Sequence, residues 1–188
     1  AIGSAQWWDE QTIYLSVTEK DYTNLYRYSL KDEAFEKVNL SVEVLGDIDF
    51  AKQIPKAVYR GTGMIQPEKL YMLNLKNDKS TLIDYPKEKE LADVTFGPTE
   101  KWNFTNSRGT TIYGRVYYPP GYDSDKKYPV IVYYYGGTSP VERSFDGRYP
   151  KNIWAGKGYI VYVLQPSGAI GFGQEFSTAH VNDWGRVV

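Results

Sequence analysis

The chain has 188 residues, which is the length of about one domain and enough to bury a hydrophobic core. Its 22 Lys and Arg against 23 Asp and Glu give a net charge of −1, which lacks the basic excess of a nucleic-acid-binding protein. Cysteine is absent and there is one histidine, so disulfides and thiolate or multi-histidine metal sites are excluded, and no cofactor is predicted. The longest apolar runs, Val130–Tyr135 and Tyr159–Leu164, are six residues each, too short for a membrane helix of about 20 residues. The composition is compatible with an exported, a periplasmic or a cytoplasmic protein.

The aromatic fraction of 16% favours a β-rich fold, because aromatic residues are enriched in strands. Charge divides unevenly: residues 1–100 hold 12 basic and 17 acidic residues, whereas residues 101–188 hold 10 and 6. This shift falls beside the turn residues Gly97-Pro98 and predicts two structural pieces, residues 1–97 and 98–188. A solvated acidic face in one piece would give the same counts.

The first piece contains an internal repeat at an offset of 45 residues. Leu25-Tyr26 returns as Leu70-Tyr71, and Leu30-Lys31 returns as Leu75-Lys76. Each copy predicts three strands, at Thr12–Thr18, Asn24–Leu30 and Phe35–Leu40 in the first and at Ala57–Gly61, Lys69–Leu75 and Ser80–Tyr85 in the second. The spacing is that of β-propeller blades, but a β-meander with a chance echo explains it about equally well.

The second piece predicts antiparallel strands followed by a parallel crossover. Trp102–Thr105 and Thr111–Tyr118 flank a turn and predict an antiparallel pair. Pro129–Tyr135 and Tyr159–Gln165 are nearly uncharged runs, typical of strands covered on both faces of a parallel sheet. Between them, Asn152–Ala155 predicts part of a crossover helix that ends at Gly156 or Gly158. This order suits the first half of an α/β-hydrolase domain.

The motifs of the second piece follow one another in the order and spacing of a known enzyme family. The chain resembles the prolyl oligopeptidase family of serine peptidases, and most of all its dipeptidyl peptidase IV and acylaminoacyl peptidase branches. The resemblance covers essentially all of residues 101–188. It is carried by Gly109–Gly114, Tyr117–Tyr122, Lys126–Val132, Tyr135-Gly136-Gly137, Gly158–Val161 and Gly171–Phe176.

The resemblance implies a β-propeller immediately before the hydrolase domain, so the repeat is expected to be the last two blades. It also implies that the chain ends before the nucleophilic Ser, the Asp and the His of the catalytic triad. His180 does not match the family's catalytic His and is expected to have a structural or surface role. Asp183 is expected in a turn or a helix cap. The isolated chain is therefore predicted to be inactive.

One catalytic element of the family falls within the chain. The resemblance places Tyr135 where the phenol hydroxyl donates to the oxyanion of the transition state, followed by an active-site turn at Gly136-Gly137. Strand alternation puts Tyr133 on the face of Tyr135 and Tyr134 on the opposite face, so both are expected in the core or against a helix. The segments that bind substrate are not predicted.

The leading functional hypothesis is a piece of a serine peptidase that removes short units from the N terminus of peptides. One alternative is an esterase or amidase on the same scaffold, and another is a non-catalytic β-rich module that binds carbohydrate through exposed aromatic residues. The family's strand order leaves Val130–Tyr135 at a sheet edge. Besides the peptide substrate, we therefore expect a partner for this edge strand, either the remainder of the same protein or a strand-swapped copy of this chain.

Overall fold

A computed structural model describes residues 1–182, so that Asp183 lies outside the described residues. The chain forms two units, of which unit 1 comprises Ala1–Ala92 and Glu142–Asp146. Unit 2 comprises Asp93–Val141 and the described residues from Gly147 on. No helix within residues 1–182 combines the length and the hydropathy that crossing a membrane requires.

Unit 1 consists of two antiparallel meanders of four strands each. The first contains β1 (Ile2–Trp7), β2 (Thr12–Glu19), β3 (Tyr22–Ser29) and β4 (Ala34–Val38). The second contains β5 (Val44–Phe50), β6 (Lys56–Gly63), β7 (Gln66–Asn74) and β8 (Lys79–Asp84), followed by the short helix α1 (Glu88–Leu91). A single parallel bridge, Thr23 to Val44, joins the two meanders into one sheet.

The six strands predicted from the repeat are confirmed, but each meander has a fourth strand that the sequence did not reveal. β1 is exposed along its whole length and therefore carries no burial pattern. β5 has a register shift between Leu45 and Ile48, and this irregularity breaks the alternation by which a strand is identified. The structural repeat is therefore four strands long.

Both meanders contribute to one hydrophobic core. Tyr59 and Tyr71 stack with their ring centroids 5.2 Å apart. The buried Tyr59 hydroxyl accepts a hydrogen bond from the Ser41 backbone at 3.0 Å and donates to the Ser80 hydroxyl at 2.8 Å, so its polar atom is satisfied within the core. The buried members of this core are Tyr14, Leu25, Val38, Leu45, Ala57, Tyr59, Tyr71, Leu73 and Leu75.

The five residues Glu142–Asp146 belong to unit 1 although the chain on both sides of them belongs to unit 2. Arg143 anchors this segment in unit 1, because its side chain is only 7% exposed and lies between two carboxylates. Its Nε is 3.1 Å from Asp21 Oδ1 and its Nη1 is 3.0 Å from Glu43 Oε1. The guanidinium also lies 4.3 Å from the centroid of the Tyr22 ring, a cation–π distance.

Unit 2 is a five-stranded sheet with two short helices. Its elements are β9 (Thr99–Lys101), β10 (Phe104–Thr105), β11 (Thr111–Tyr117), β12 (Val130–Tyr133), α2 (Lys151–Gly156), β13 (Ile160–Gln165) and α3 (Gln174–Thr178). The antiparallel pair β10–β11, the parallel pair β12–β13 and the crossover helix are confirmed. Asn106 Oδ1 accepts the backbone N–H groups of Arg108 and Thr110, both at 3.0 Å, and closes the turn between β10 and β11.

The sheet of unit 2 has the order β10-β11-β13-β12, with β9 also paired to β11. β12 is thus an edge strand, because within residues 1–182 it pairs with β13 alone. Val130 and Val132 are 57% and 54% exposed. The resemblance predicted this edge position, and the two valines form an apolar surface on it.

Candidate active-site turn

The strand β12 ends before the tyrosine that the sequence singled out. A strand through Tyr135 was predicted, but β12 ends at Tyr133, so Tyr134 and Tyr135 lie beyond its last residue. Tyr135 is 53% exposed. It therefore presents its ring at the carboxyl end of a parallel strand, where open α/β sheets bind their ligands.

The two neighbouring tyrosines differ in burial. Tyr133 packs as expected against the crossover segment, with its ring centroid 5.4 Å from Tyr149 and 6.1 Å from Trp154. Burial and the nearby Tyr149 raise the pKa of the Tyr133 hydroxyl. The expectation of a packed Tyr134 is wrong, because this side chain is 60% exposed. By strand alternation it continues the face of β12 on which Val130 and Val132 are also exposed.

The residues 136–141, called here the Gly-Gly turn, follow Tyr135. A Cβ atom added to Gly137 would lie 2.5 Å from Cε1 of the Tyr135 ring, a separation that side chains do not adopt. Gly137 thus lets the backbone approach the aromatic ring. By contrast, a Cβ atom added to Gly136 meets nothing within 4 Å, so the close contact is specific to the second glycine.

The Gly-Gly turn is anchored to the chain that follows β13. Thr138 accepts a backbone hydrogen bond from Ile170 at 2.8 Å. At its end, Val141 accepts from Gln165 Nε2 at 2.8 Å and donates its N–H to Gln165 Oε1 at 2.9 Å. The Arg115 guanidinium donates a further bond to the Val141 carbonyl at 2.9 Å. Neither Gln165 nor Arg115 was predicted as a site residue, although each is a buried polar residue in a largely apolar strand.

A second buried cation lies on the same side of the sheet. Lys151 is the first residue of α2, and its Nζ lies 4.6 Å from the centroid of the Tyr133 ring. Burial, together with the positive charge of Arg115, lowers the pKa of Lys151 to about 8. No carboxylate of residues 1–182 forms an ion pair with Lys151.

Unit 2 also contains a cavity of about 710 Å³. Tyr113, Phe172 and Phe176 form its aromatic wall, with ring centroids 4.9 to 6.0 Å apart, and Arg108 and Glu175 are polar lining residues. Neither Tyr135 nor the Gly-Gly turn lines this cavity. It is therefore separate from the predicted site.

The single histidine, His180, directly follows Ala179, which lines this cavity. Gly168 has a φ of 99°, and a Cβ atom added there would lie 2.4 Å from His180 Nδ1. Glycine at position 168 thus serves both the left-handed backbone and the close contact with the imidazole ring. This contact gives His180 a packing environment.

Comparisons with known proteins bear directly on these motifs. No family model matches the sequence. The dipeptidyl-peptidase 5 of Porphyromonas endodontalis is 28% identical over 175 residues, which are 93% of this chain and 25% of that protein. A probable dipeptidyl-peptidase 5 of Aspergillus terreus is 40% identical over 77 residues, 40% of this chain and 11% of that protein. The acylaminoacyl peptidase of Pyrococcus horikoshii has the same fold, with a TM-score of 0.77 and 18% identity over 95% of this chain and 27% of that one.

The predicted resemblance is confirmed: the chain is related to the serine peptidases of the prolyl oligopeptidase family. Its curated relatives are named dipeptidyl-peptidase 5, and its structural neighbours include acylaminoacyl peptidase. The chain spans about a quarter of the length of the Porphyromonas endodontalis relative.

Proposed function

We propose that this chain acts as part of a longer serine peptidase that removes short units from the N terminus of peptides. The observation that carries the proposal is the position of Tyr135, which follows the parallel strand β12 and precedes the Gly-Gly turn. The relatives named dipeptidyl-peptidase 5 and acylaminoacyl peptidase support this class of substrate.

In this proposal the two units are the adjoining parts of two domains. The four-stranded meanders of unit 1 are the last two blades of a β-propeller, and unit 2 holds the opening half of an α/β-hydrolase domain. The domain boundary is proposed at residues 97–98, five residues beyond the start of unit 2 at Asp93. The repeat of four strands supports the first assignment. Two antiparallel strands followed by a parallel crossover support the second.

Tyr135 is proposed to donate its hydroxyl to the oxyanion that forms when a serine attacks the peptide carbonyl. A phenol held in a fixed position contributes about 3 kcal/mol to such a transition state, because the donor needs no reorganisation when charge develops. Gly136-Gly137 allow the backbone to turn away from the reacting carbonyl. The nucleophile and base are supplied by segments that the longer relatives possess.

The edge strand β12 is proposed to pair with a strand from the remainder of the protein, or from a swapped copy of this chain. The apolar surface of Val130 and Val132 and the backbone of an edge strand both favour such an addition. Hydrogen exchange at Val132, whose N–H alternates away from β13 toward the open edge, tests this: slow exchange in the full-length protein and fast exchange in the isolated chain are expected. Slow exchange in a monomeric isolated chain would contradict the proposal.

Activity is tested with Tyr135→Phe in the full-length protein and a dipeptide p-nitroanilide substrate. We expect kcat to fall about ten- to a thousand-fold with a smaller change in KM, as for the loss of a transition-state donor. The matched control is Tyr134→Phe, which removes the neighbouring exposed hydroxyl and is expected to leave kcat unchanged. Equal activity of the two variants would exclude Tyr135 as the donor.

The isolated chain is expected to hydrolyse neither peptides nor activated esters, since it holds a donor without a nucleophile. An esterase or amidase on the same scaffold is the second candidate. A panel of peptide, ester and amide substrates of matched leaving group, tested on the full-length protein, distinguishes the two.

A further inference from the structure

Gln165, the last residue of β13, holds the backbone of Val141 with both polar atoms of its side chain. The two hydrogen bonds are 2.8 and 2.9 Å long, and Gln165 is 1% exposed. A carboxamide is both donor and acceptor. The Gln165 side chain therefore bonds both the N–H and the C=O of Val141, as a neighbouring strand would, although Val141 belongs to no strand. Because the site is buried, neither bond competes with water.

Val141 is the point at which the Gly-Gly turn ends. β12 stops at Tyr133, so strand pairing does not hold Tyr135. Gly136 and Gly137 have no side chains with which to fix the turn. The position of the turn is therefore set by its anchors: the bond from Ile170 to Thr138 and the bonds from Gln165 and Arg115 to Val141.

The Gly-Gly turn in turn defines the space available to the Tyr135 ring. Gly137 lies directly against this ring, with the position of its absent Cβ only 2.5 Å from Cε1. A shift of Val141 moves Gly137 and alters the direction of the phenol hydroxyl. A misplacement of about 1 Å in a catalytic group is enough to lower the rate by about a hundred-fold.

We propose that Gln165 is a positioning residue for the Tyr135 hydroxyl, acting through Val141 and the Gly-Gly turn. This inference rests on the proposed function of Tyr135. Gln165 touches no reacting atom in this arrangement. Its contribution passes entirely through the backbone that it binds.

A double-mutant cycle in the full-length protein tests the proposal. Gln165→Met keeps the length of the side chain and removes both hydrogen bonds, and it is combined with Tyr135→Phe. We expect Gln165→Met alone to lower kcat about ten- to a hundred-fold with KM changed less than about threefold. In the Tyr135→Phe background it should lower kcat by less than about twofold, because the donor that it positions is already gone.

The control is Val161→Ala, a cavity-forming change at a fully buried residue of the same strand, which pairs with Tyr117 and Ile131. It should lower the melting temperature and leave kcat within about twofold, separating loss of stability from loss of positioning. If Gln165→Met does not accumulate as folded protein, the cycle is run with Gln165→Glu, which keeps the acceptor for the Val141 N–H and loses the donor.

The outcomes separate the two proposals. An unchanged kcat in the Gln165 variant, or losses that multiply in the double variant, overturns the positioning role while Tyr135 remains the donor. If Tyr135→Phe alone leaves kcat unchanged, the proposed function of Tyr135 fails, and the positioning role fails with it. Non-additive losses with KM preserved support the inference.

Discussion

Both units bury cations, and Arg143 of unit 1 differs from Lys151 of unit 2 in what surrounds it. In unit 1, Arg143 lies within ion-pair distance of Asp21 and Glu43, and although burial opposes its charge, these carboxylates raise the pKa of Arg143. In unit 2, Lys151 has Arg115 as its charged neighbour, and its pKa is lowered. Burial disfavours the charge of both residues, and only the carboxylates beside Arg143 offset this effect.

The largest effect on stability is expected from removing the paired cation, Arg143. Arg143→Met removes the ion pairs that Arg143 forms with Asp21 and Glu43, and we expect the free energy of unfolding to fall by about 3 kcal/mol, since breaking a buried ion pair is strongly destabilising. Urea unfolding of the full-length protein measures the change. The control is Arg148→Met, an exposed arginine of the same loop, for which less than about 0.5 kcal/mol is expected. Equal effects of the two variants would show that the ion pairs of Arg143 contribute nothing.

Removing the charge of Lys151 is expected to change the free energy of unfolding in the opposite direction. The pKa of Lys151 is lowered from 10.5 to about 8, so keeping it charged in the folded state costs about 3 kcal/mol. We expect Lys151→Met to raise the free energy of unfolding at pH 7 by up to this amount. A loss of stability at pH 7 would reveal an anionic partner for Lys151 outside residues 1–182.

The same group gives a pH dependence. Below pH about 8 both states are protonated and the destabilisation is complete; between pH about 8 and 10.5 the unfolded state binds more protons, so stability rises with pH. Above this range Lys151 is neutral in both states and the penalty is gone. Subtracting the pH profile of Lys151→Met from that of the parent protein isolates this rise.

The smallest expected effect concerns a cation that is paired but exposed. Arg60 contacts both Asp47 and Glu68 at 2.5 Å, with its side chain 48% exposed. It thus has as many carboxylate partners as Arg143 and differs in burial. We expect Arg60→Met to change the free energy of unfolding by less than about 1 kcal/mol, with the difference shrinking as salt is added. A loss as large as that for Arg143→Met would show that burial is not the deciding variable.

The sequence predicted those elements whose pattern is local. The repeat, the turn at Asn106 and the parallel pair β12–β13 follow from spacing and composition, and the motifs led to a resemblance that the relatives confirm. β1 and β5 were missed because one is wholly exposed and the other is interrupted by a bulge. An alternation pattern exists only where a strand is regular and buried on one face.

The buried polar contacts were not predicted, because they join residues far apart in the sequence. Arg143 reaches Asp21 across 122 positions, and Gln165 reaches Val141 across 24. Sequence periodicity carries no information about such pairs. A signal was present, however, in Arg115, which lies within β11, and in Gln165, which ends the otherwise apolar strand β13. A polar residue at a buried position requires a partner.

The insertion of Glu142–Asp146 into unit 1 has a consequence for the order of events during synthesis. Once residues 1–92 have been translated, all of residues 93–141 must follow before Arg143 is reached. At about 5–20 residues per second this interval lasts roughly three to ten seconds. The two meanders thus spend that time with Asp21 and Glu43 not yet paired to Arg143, and unit 1 is completed only after most of the chain has emerged.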